Sequence, residues 1–265
     1  NNDLKMGKQL KSKRCDLVKS LAKQNIMIEG FSDLNTLQNM NKNELIKFIE
    51  SRLSPEVFKE LKLVKFSKGD VIFSEKSANN GTYAILSGLV KQFVFGIECR
   101  ESIFKFCGFG DILGHRSLFL DKNHFDNAVC LSDVEVLHLP RAASLLAIKT
   151  DETLMLEFIL RISEDSMQQI YHSQLLGQYN LQQRTAFGLL YLLSKNGNSD
   201  SREIFIWRDD FANYIGAEKE SVVRVMYYFK EEHLIESSGK RIRILKPEVL
   251  KEIAEKAIIK KAPLI

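Results

Sequence analysis

The segment from Trp207 to Leu245 constrains the fold of this chain more than any other. A small residue, Ala212, falls inside a first amphipathic stretch, where a closely crossing helix leaves no room for a longer side chain. Four residues later comes Gly216, placed for a turn whose backbone enters the left-handed region that most residues avoid. A second amphipathic stretch follows. It puts Val222, Val225 and Met226 on one face and leaves Lys219, Ser221 and Arg224 for a polar one. Ser237 to Lys240 then separates Leu234 and Ile235 from the alternating run Arg241 to Leu245, with apolar and cationic residues on opposite faces. That is a hairpin pattern. Helix, tight turn, helix and hairpin together predict a winged helix-turn-helix.

A chain of 265 residues has room for two ordinary domains. With 45% hydrophobic and 27% charged residues it reads as globular. The net charge of +4 permits nucleic-acid binding without demanding it, so that reading must rest on local pattern. No stretch approaches the roughly 20 apolar residues of a membrane span. Lys5, Lys8, Lys11, Lys13 and Arg14 make the N-terminus basic, but no apolar run follows as in a signal peptide. A cytoplasmic protein with no membrane partner is expected. Cys15, Cys99, Cys107 and Cys130 form no CxxC pair, so no zinc-ribbon or usual cluster motif is present and no metal is expected. They read as reduced thiols packed as small hydrophobes. No phosphate loop, GxSxG elbow, HExxH or carboxylate pair marks an enzyme, and no catalytic residue is assigned. Gly108 to Gly114 mimics GxGxxG but lies in strand-and-turn sequence with no βαβ unit to hold it.

Residues 1–52 read as a helical extension, with helical spacing over Cys15–Gln24 and Asn41–Leu53. Asn41 is placed as an N-cap with Glu44 completing a capping box. Either an interaction element or an arm packed loosely on the next domain fits this stretch. Ser54 and Pro55 open a short helix. From Leu63 to Leu139 short strands alternate with turns: Val71–Phe73, Thr82–Leu86, Leu89–Phe95, Val129–Leu131 and Val134–Leu139. Such spacing suggests a double-sheet roll. Residues 153–179 form one long helical pattern without proline, carrying Phe158, Ile159, Ile162, Met167, Ile170, Leu175 and Leu176. A helix of that length between two globular parts often pairs with a copy of itself. Gln182–Leu193 is a further helix, and Ile204–Trp207 a strand leading into the helix-turn-helix. The expected class is α+β: N-terminal helical extension (1–52), double-sheet β-roll or jelly roll (53–150), long dimerisation helix (151–181), and C-terminal winged helix-turn-helix (182–265).

This order resembles the CRP/FNR family of bacterial transcription regulators. The resemblance runs from Leu53 to Ile253 and is carried by Phe66–Phe73, Gly81–Lys91 and Gly110–Phe119 in the roll. In the C-terminal half Ala212, Gly216, Glu220–Arg224 and Gly239–Ile244 carry it. It implies a two-fold dimer on double-stranded DNA, with a recognition helix in each major groove and half-sites about one helical turn apart. It also implies RNA polymerase as a partner. By position, Lys219, Glu220 and Arg224 would read bases, since Arg bonds guanine O6 and N7 together and Glu accepts from the cytosine amino group. Lys219 is alternatively a phosphate contact. Ser221, Lys240, Arg241 and Arg243 would hold phosphates and set affinity rather than sequence. Two departures stand out: Trp207 and Glu218 occupy positions where Ser or Thr usually caps the two helices. Glu218 suits a helix N-terminus by charge but repels a phosphate there.

The sensor half departs further. Cyclic-AMP-binding members carry a Glu for the ribose and an Arg-Ser/Thr-Ala segment for the cyclic phosphate. Here Gly114 is followed by His115, and the phosphate segment reads Asp126, Asn127, Ala128. An Asp facing a phosphate has the wrong sign. Tight cyclic-AMP binding is therefore not expected, and the effector pocket is assigned to Gly114, His115, Arg116, Ser117, Asp126 and Asn127. Arg116 substitutes for the missing Arg only by entering from another direction. Cys15 is the single N-terminal cysteine, too few for the thiolate cluster of oxygen-sensing members. Haem is considered only at His115 or His124, and a thiol switch only among Cys99, Cys107 and Cys130. A small organic effector, or none, remains open. Against the leading reading of a homodimeric regulator stands a second one. In it the chain is a ligand-binding or interaction protein whose DNA-binding half is degenerate.

Overall fold

The computed structural model describes residues 41–120, 122–195 and 202–255. The helix expected over Cys15–Gln24 lies outside these. The second helix of the extension is α1 (Lys42–Arg52). Its capping box forms as expected: Asn41 Oδ1 accepts from the Glu44 amide at 3.0 Å, and Glu44 Oε2 accepts from the Asn41 amide at 2.8 Å. Leu45 then buries against Leu86 and Leu137 of the roll, so this part of the extension is docked. The short α2 (Pro55–Phe58) starts on Ser54, whose hydroxyl accepts from the Val57 amide.

Two four-stranded antiparallel sheets make the roll. One runs β1 (Lys62–Phe66), β8 (Val134–Pro140), β3 (Gly81–Ser87), β6 (Ile112–Leu113). The other runs β2 (Val71–Phe73), β7 (Asn127–Cys130), β4 (Val90–Phe95), β5 (Glu101–Cys107). Ile85, Val90, Cys107, Leu113, Ala128, Val134 and Val136 fill the space between them. Strand β5 escapes the sequence pattern because Lys105 interrupts its apolar run, yet Lys105 is buried. Two helices follow from the roll, α3 (His115–Leu120) between β6 and β7 and α4 (Arg141–Thr150) after β8.

The long helix α5 (Glu152–Gln178) is capped by Asp151, which accepts from the Leu154 amide at 2.8 Å. Its apolar residues divide between two faces. Leu154, Phe158 and Leu175 are buried within the chain, as are the charged Arg161 and Asp165. Leu156, Ile159, Leu160, Met167 and Ile170 are exposed, with Leu160 and Met167 one heptad apart. The single stripe read from the sequence therefore splits: Phe158 and Leu175 face inward, and Ile159, Met167 and Ile170 outward.

The C-terminal half comprises α6 (Leu181–Lys195), β9 (Glu203–Phe205), α7 (Arg208–Ile215), α8 (Lys219–Glu231), β10 (Ile235–Ser238), β11 (Arg241–Ile244) and α9 (Pro247–Glu255). Gly216 ends α7 in the left-handed region at φ 61°. The hairpin pairs Ile235 with Ile244 and Ser238 with Arg241, and β9 adds as the third strand of the wing. This half shares a core with the roll. Phe93, Ile103 and Phe106 of the roll join Leu189, Tyr191, Phe211 and Tyr214 in one cluster. Tyr191 stacks on Tyr214 at 5.3 Å and donates to the Phe106 carbonyl at 3.0 Å.

Among the glycines of this half, Gly188 of α6 sits hard against a neighbouring helix, a position with no signal in the sequence pattern. A Cβ there would meet Phe211 Cε2 at 2.8 Å and Ile215 Cγ2 at 2.9 Å. Helix propensity favours Gly188→Ala by about 0.8–1 kcal/mol. Overpacking costs about 1–3 kcal/mol, and it wins here because Phe211 and Ile215 are fully buried with nowhere to move. We expect Gly188→Ala to lower the thermal midpoint. A raised midpoint would show that α7 yields freely.

Candidate nucleic-acid interface and sensor cavity

Helix α8 is amphipathic in a way that frees one face. Val222, Met226 and Phe229 are buried, whereas Lys219, Glu220, Val223, Arg224 and Tyr227 are exposed and Ser221 is half-buried. On the wing, Ile242 and Ile244 point inward and Lys240, Arg241 and Arg243 outward. The three expected base readers and four expected phosphate contacts thus lie on α8 and the neighbouring wing. Several are held by local partners. Lys219 Nζ donates to Asp209 Oδ2 at 2.8 Å, and this bond raises its pKa. Arg224 Nη2 donates to Ser221 Oγ at 3.0 Å. Arg241 pairs with Glu203, and Arg243 lies 4.0 Å from Glu236.

Neither unusual cap makes a side-chain cap bond. Glu218 has a different partner. Arg100, at the tip of the β4–β5 hairpin, donates to Glu218 Oε1 at 2.6 Å and to the Ala217 carbonyl at 2.9 Å. The Glu that repels a phosphate is thus the counterion of a roll arginine. Nearby, Lys91 of β4 is paired with Glu101 at 2.5 Å and with Asp210 of α7 at 2.8 Å. Burial alone would lower the Lys91 pKa, and the two carboxylates raise it instead.

The other charged cluster lies where the roll meets α5. Asp165 of α5 accepts from Lys105 Nζ at 2.5 Å and from Arg116 Nε and Nη2 at 3.1 and 2.9 Å, and His115 Nε2 lies 3.0 Å away. Burial would raise the Asp165 pKa, but Lys105, His115 and Arg116 hold it far below the carboxylate range. Behind it Asp111 takes Lys195 of α6 at 2.9 Å, and Arg161 approaches to 3.9 Å. Burial would raise Asp111 too, and these cations lower it.

All six effector-pocket candidates are engaged with protein partners. The Gly114 carbonyl accepts from Asn79 at 2.8 Å. His115 and Arg116 meet on Asp165. Ser117 Oγ is 2.9 Å from His124 Nδ1. Asp126 accepts from Gln92 at 2.8 Å, and burial pushes its pKa up to about 6. Asn127 accepts from the Glu75 amide at 3.0 Å.

Two family models match the chain: a cyclic nucleotide-binding domain over residues 63–151 and a Crp-like helix-turn-helix domain over residues 183–253. The chain belongs to the CRP/FNR family of transcription regulators. Among curated relatives, the nitrogen fixation regulation protein FixK of Bradyrhizobium diazoefficiens is 27% identical over 199 residues, 72% of this chain and 81% of its own. Electron transport regulator A of Shewanella oneidensis is 26% identical over 72% of this chain and 78% of its own. A CRP-like cAMP-activated global transcriptional regulator of Mycobacterium tuberculosis is 25% identical over 72% and 88%. The fold matches the structure of FixK2 from Bradyrhizobium japonicum with a TM-score of 0.66 at 20% identity, over 73% of this chain and 96% of that one.

CRP/FNR-family regulators bind DNA through the helix-turn-helix, and α7 and α8 are that motif here. None of the described helices is long and apolar enough to cross a membrane. Within this regulator a disulfide switch between Cys107 and Cys130 fails on geometry. Cys107 and Cys130 both lie opposite Val90, one on each side of β4. Two strand spacings separate them by roughly 10 Å, beyond the ~7 Å limit between Cα atoms for a disulfide. Burial pushes both thiols up to about 12, far from reactivity. Cys99 sits exposed at the opposite, tip end of the hairpin. The histidines weighed for haem are turned to structural work. His115 serves Asp165, and His124 stacks on Phe73 at 3.8 Å with its pKa lowered by burial to about 4. The described residues hold no cluster of three or more His, Cys, Asp or Glu fit for a metal ion. Arg100, Lys91, Lys105 and Asp165 escaped the sequence reading, because each acts on a partner at least ten residues away.

Asp165→Asn leaves the buried Lys105 and the part-buried Arg116 beside a neutral group. We expect a loss of about 3–5 kcal/mol in urea denaturation. Because the folded pKa of Asp165 is depressed, its contribution is complete above the unfolded value near 4 and is lost as pH falls below it. The variant should therefore lose less stability than the wild type on acidification below about pH 4. Equal acid slopes would contradict this role.

Proposed function

We propose that this regulator binds two-fold symmetric DNA as a homodimer, with residues 151–181 pairing two copies and residues 182–265 reading the site. Exposure of the α8 face beside the cationic wing edge carries the reading. Lys219, Glu220 and Arg224 are assigned to base edges, and Ser221, Lys240, Arg241 and Arg243 to phosphates. Asp209, the partner of Lys219, is exposed, and Ser221, the partner of Arg224, is an uncharged hydroxyl, so exchanging them for DNA costs little. For pairing, the support is the outward stripe Leu156, Ile159, Leu160, Met167 and Ile170, which is exposed along one side of the helix as in a self-pairing helix. RNA polymerase is the downstream partner that family membership suggests.

Arg224→Ala should cost roughly 1–3 kcal/mol in DNA affinity and relax the preference at one base pair of each half-site. Arg243→Ala should instead weaken all sequences alike and reduce the salt slope by about one. Competition gel shifts across a salt series distinguish the two. Unaltered affinity and preference in Arg224→Ala would refute the base-reading assignment.

Residues 53–150 are proposed to act as a sensor that does not take cyclic AMP tightly, although relatives are named as a cAMP-activated regulator and a cyclic AMP receptor protein. The support is charge. Arg116 is already committed to Asp165, and the phosphate segment presents Asp126. Displacing Asp165 would leave the buried Lys105 with only Asp111, 4.0 Å away and already shared with Lys195. Isothermal calorimetry should detect no cyclic-AMP binding at micromolar concentrations, and a micromolar isotherm would overturn this.

A further inference from the structure

A cleft of about 790 Å³ opens between the roll and the wing, within the roughly 300–1,000 Å³ of small-molecule sites. It is distinct from the Asp165 cluster. Its walls come from the β3–β4 and β7–β8 turns, the end of α6, and β9 with the wing turn. Leu89, Leu131, Leu192, Phe205 and Trp207 give it an apolar lining, and Phe205 and Trp207 are about half exposed (52% and 51%). An exposed tryptophan beside an exposed phenylalanine has no evident role in packing.

The charge at the cleft is net positive once existing ion pairs are removed. Lys42 is taken by Glu135, Lys195 by Asp111, and Asp210 by Lys91. Asp133 accepts from the Lys68 backbone amide at 3.0 Å, which leaves one negative charge at the edge of the cleft. Lys68 and Lys240 remain, one from the roll and one from the wing, both exposed and neither with a carboxylate within ion-pair distance among the described residues. Lys68 Nζ lies 5.3 Å from the centre of the Trp207 ring. An aromatic and aliphatic floor beneath two ammonium groups suits a ligand with an apolar body and one negative head.

We propose that this cleft binds a small amphipathic carboxylate, its chain on Leu131, Leu192 and Trp207 and its head at Lys68 and Lys240. The site bridges the two halves of the chain, so an occupant would stabilise whichever arrangement keeps roll and wing together. This does not depend on the DNA-reading assignment.

Trp207 is the single tryptophan of the chain, so its emission reports on the cleft directly. The full-length protein is titrated with decanoate, decanol and decyltrimethylammonium, each below its micelle concentration. Decanoate should change Trp207 emission saturably. Decanol should bind about tenfold more weakly, the worth of a charge-assisted bond, and the cation should not saturate. Lys240→Gln should weaken decanoate about tenfold and leave decanol unchanged, with calorimetry confirming both. Three outcomes overturn the proposal. One is no response to any probe. Another is equal response to all three, which means a merely apolar patch. The third is decanoate affinity indifferent to Lys240→Gln.

Discussion

One buried carboxylate decides where the long helix lies. Asp165 enters the roll from α5 and neutralises Lys105 of β5 and Arg116 of α3 at once. Without it the buried Lys105 would keep only Asp111, 4.0 Å away, and the part-buried Arg116 would lose its carboxylate, a large cost for a marginally stable fold. Satisfying them fixes which face of α5 turns inward. The opposite face, with Leu156, Ile159 and Ile170, is thereby left outward. The same cluster reaches α6 through Asp111 and Lys195, so the first helix of the DNA-binding half takes its bearing from the roll.

The two halves are therefore not beads on a helical string. Phe106 packs on Tyr214, whose ring also stacks on Tyr191, and Arg100 holds the entrance to α8 by Glu218 and the Ala217 carbonyl. Any sensor signal that displaces β5 reaches α7 through this apolar contact and reaches α8 through an ion pair. The ion pair is half exposed and weak alone, whereas the shared core is the stiffer link.

Local chemistry made much of this legible in the sequence. The Asn41–Glu44 box, the Ser54–Pro55 start, the Gly216 turn and the alternating wing strand each depend on residues within four positions, and each formed as read. The double-sheet roll and the family followed from their order. What stayed hidden is what distant residues decide. Lys105 reads as a surface lysine until Asp165, sixty residues on, is beside it. Glu218 reads as a poor cap until Arg100 arrives from the roll. The α5 stripe reads as one face until the roll claims Phe158 and Leu175.

The proposal that α8 reads DNA from a pair of copies joined along α5 is tested most directly by selecting bound duplexes from a random-sequence pool with the full-length protein. The account predicts enrichment of an inverted repeat whose half-site centres lie about one helical turn apart, roughly 10 base pairs. Recovery of no enriched sequence, or of a single unrepeated half-site, would contradict it.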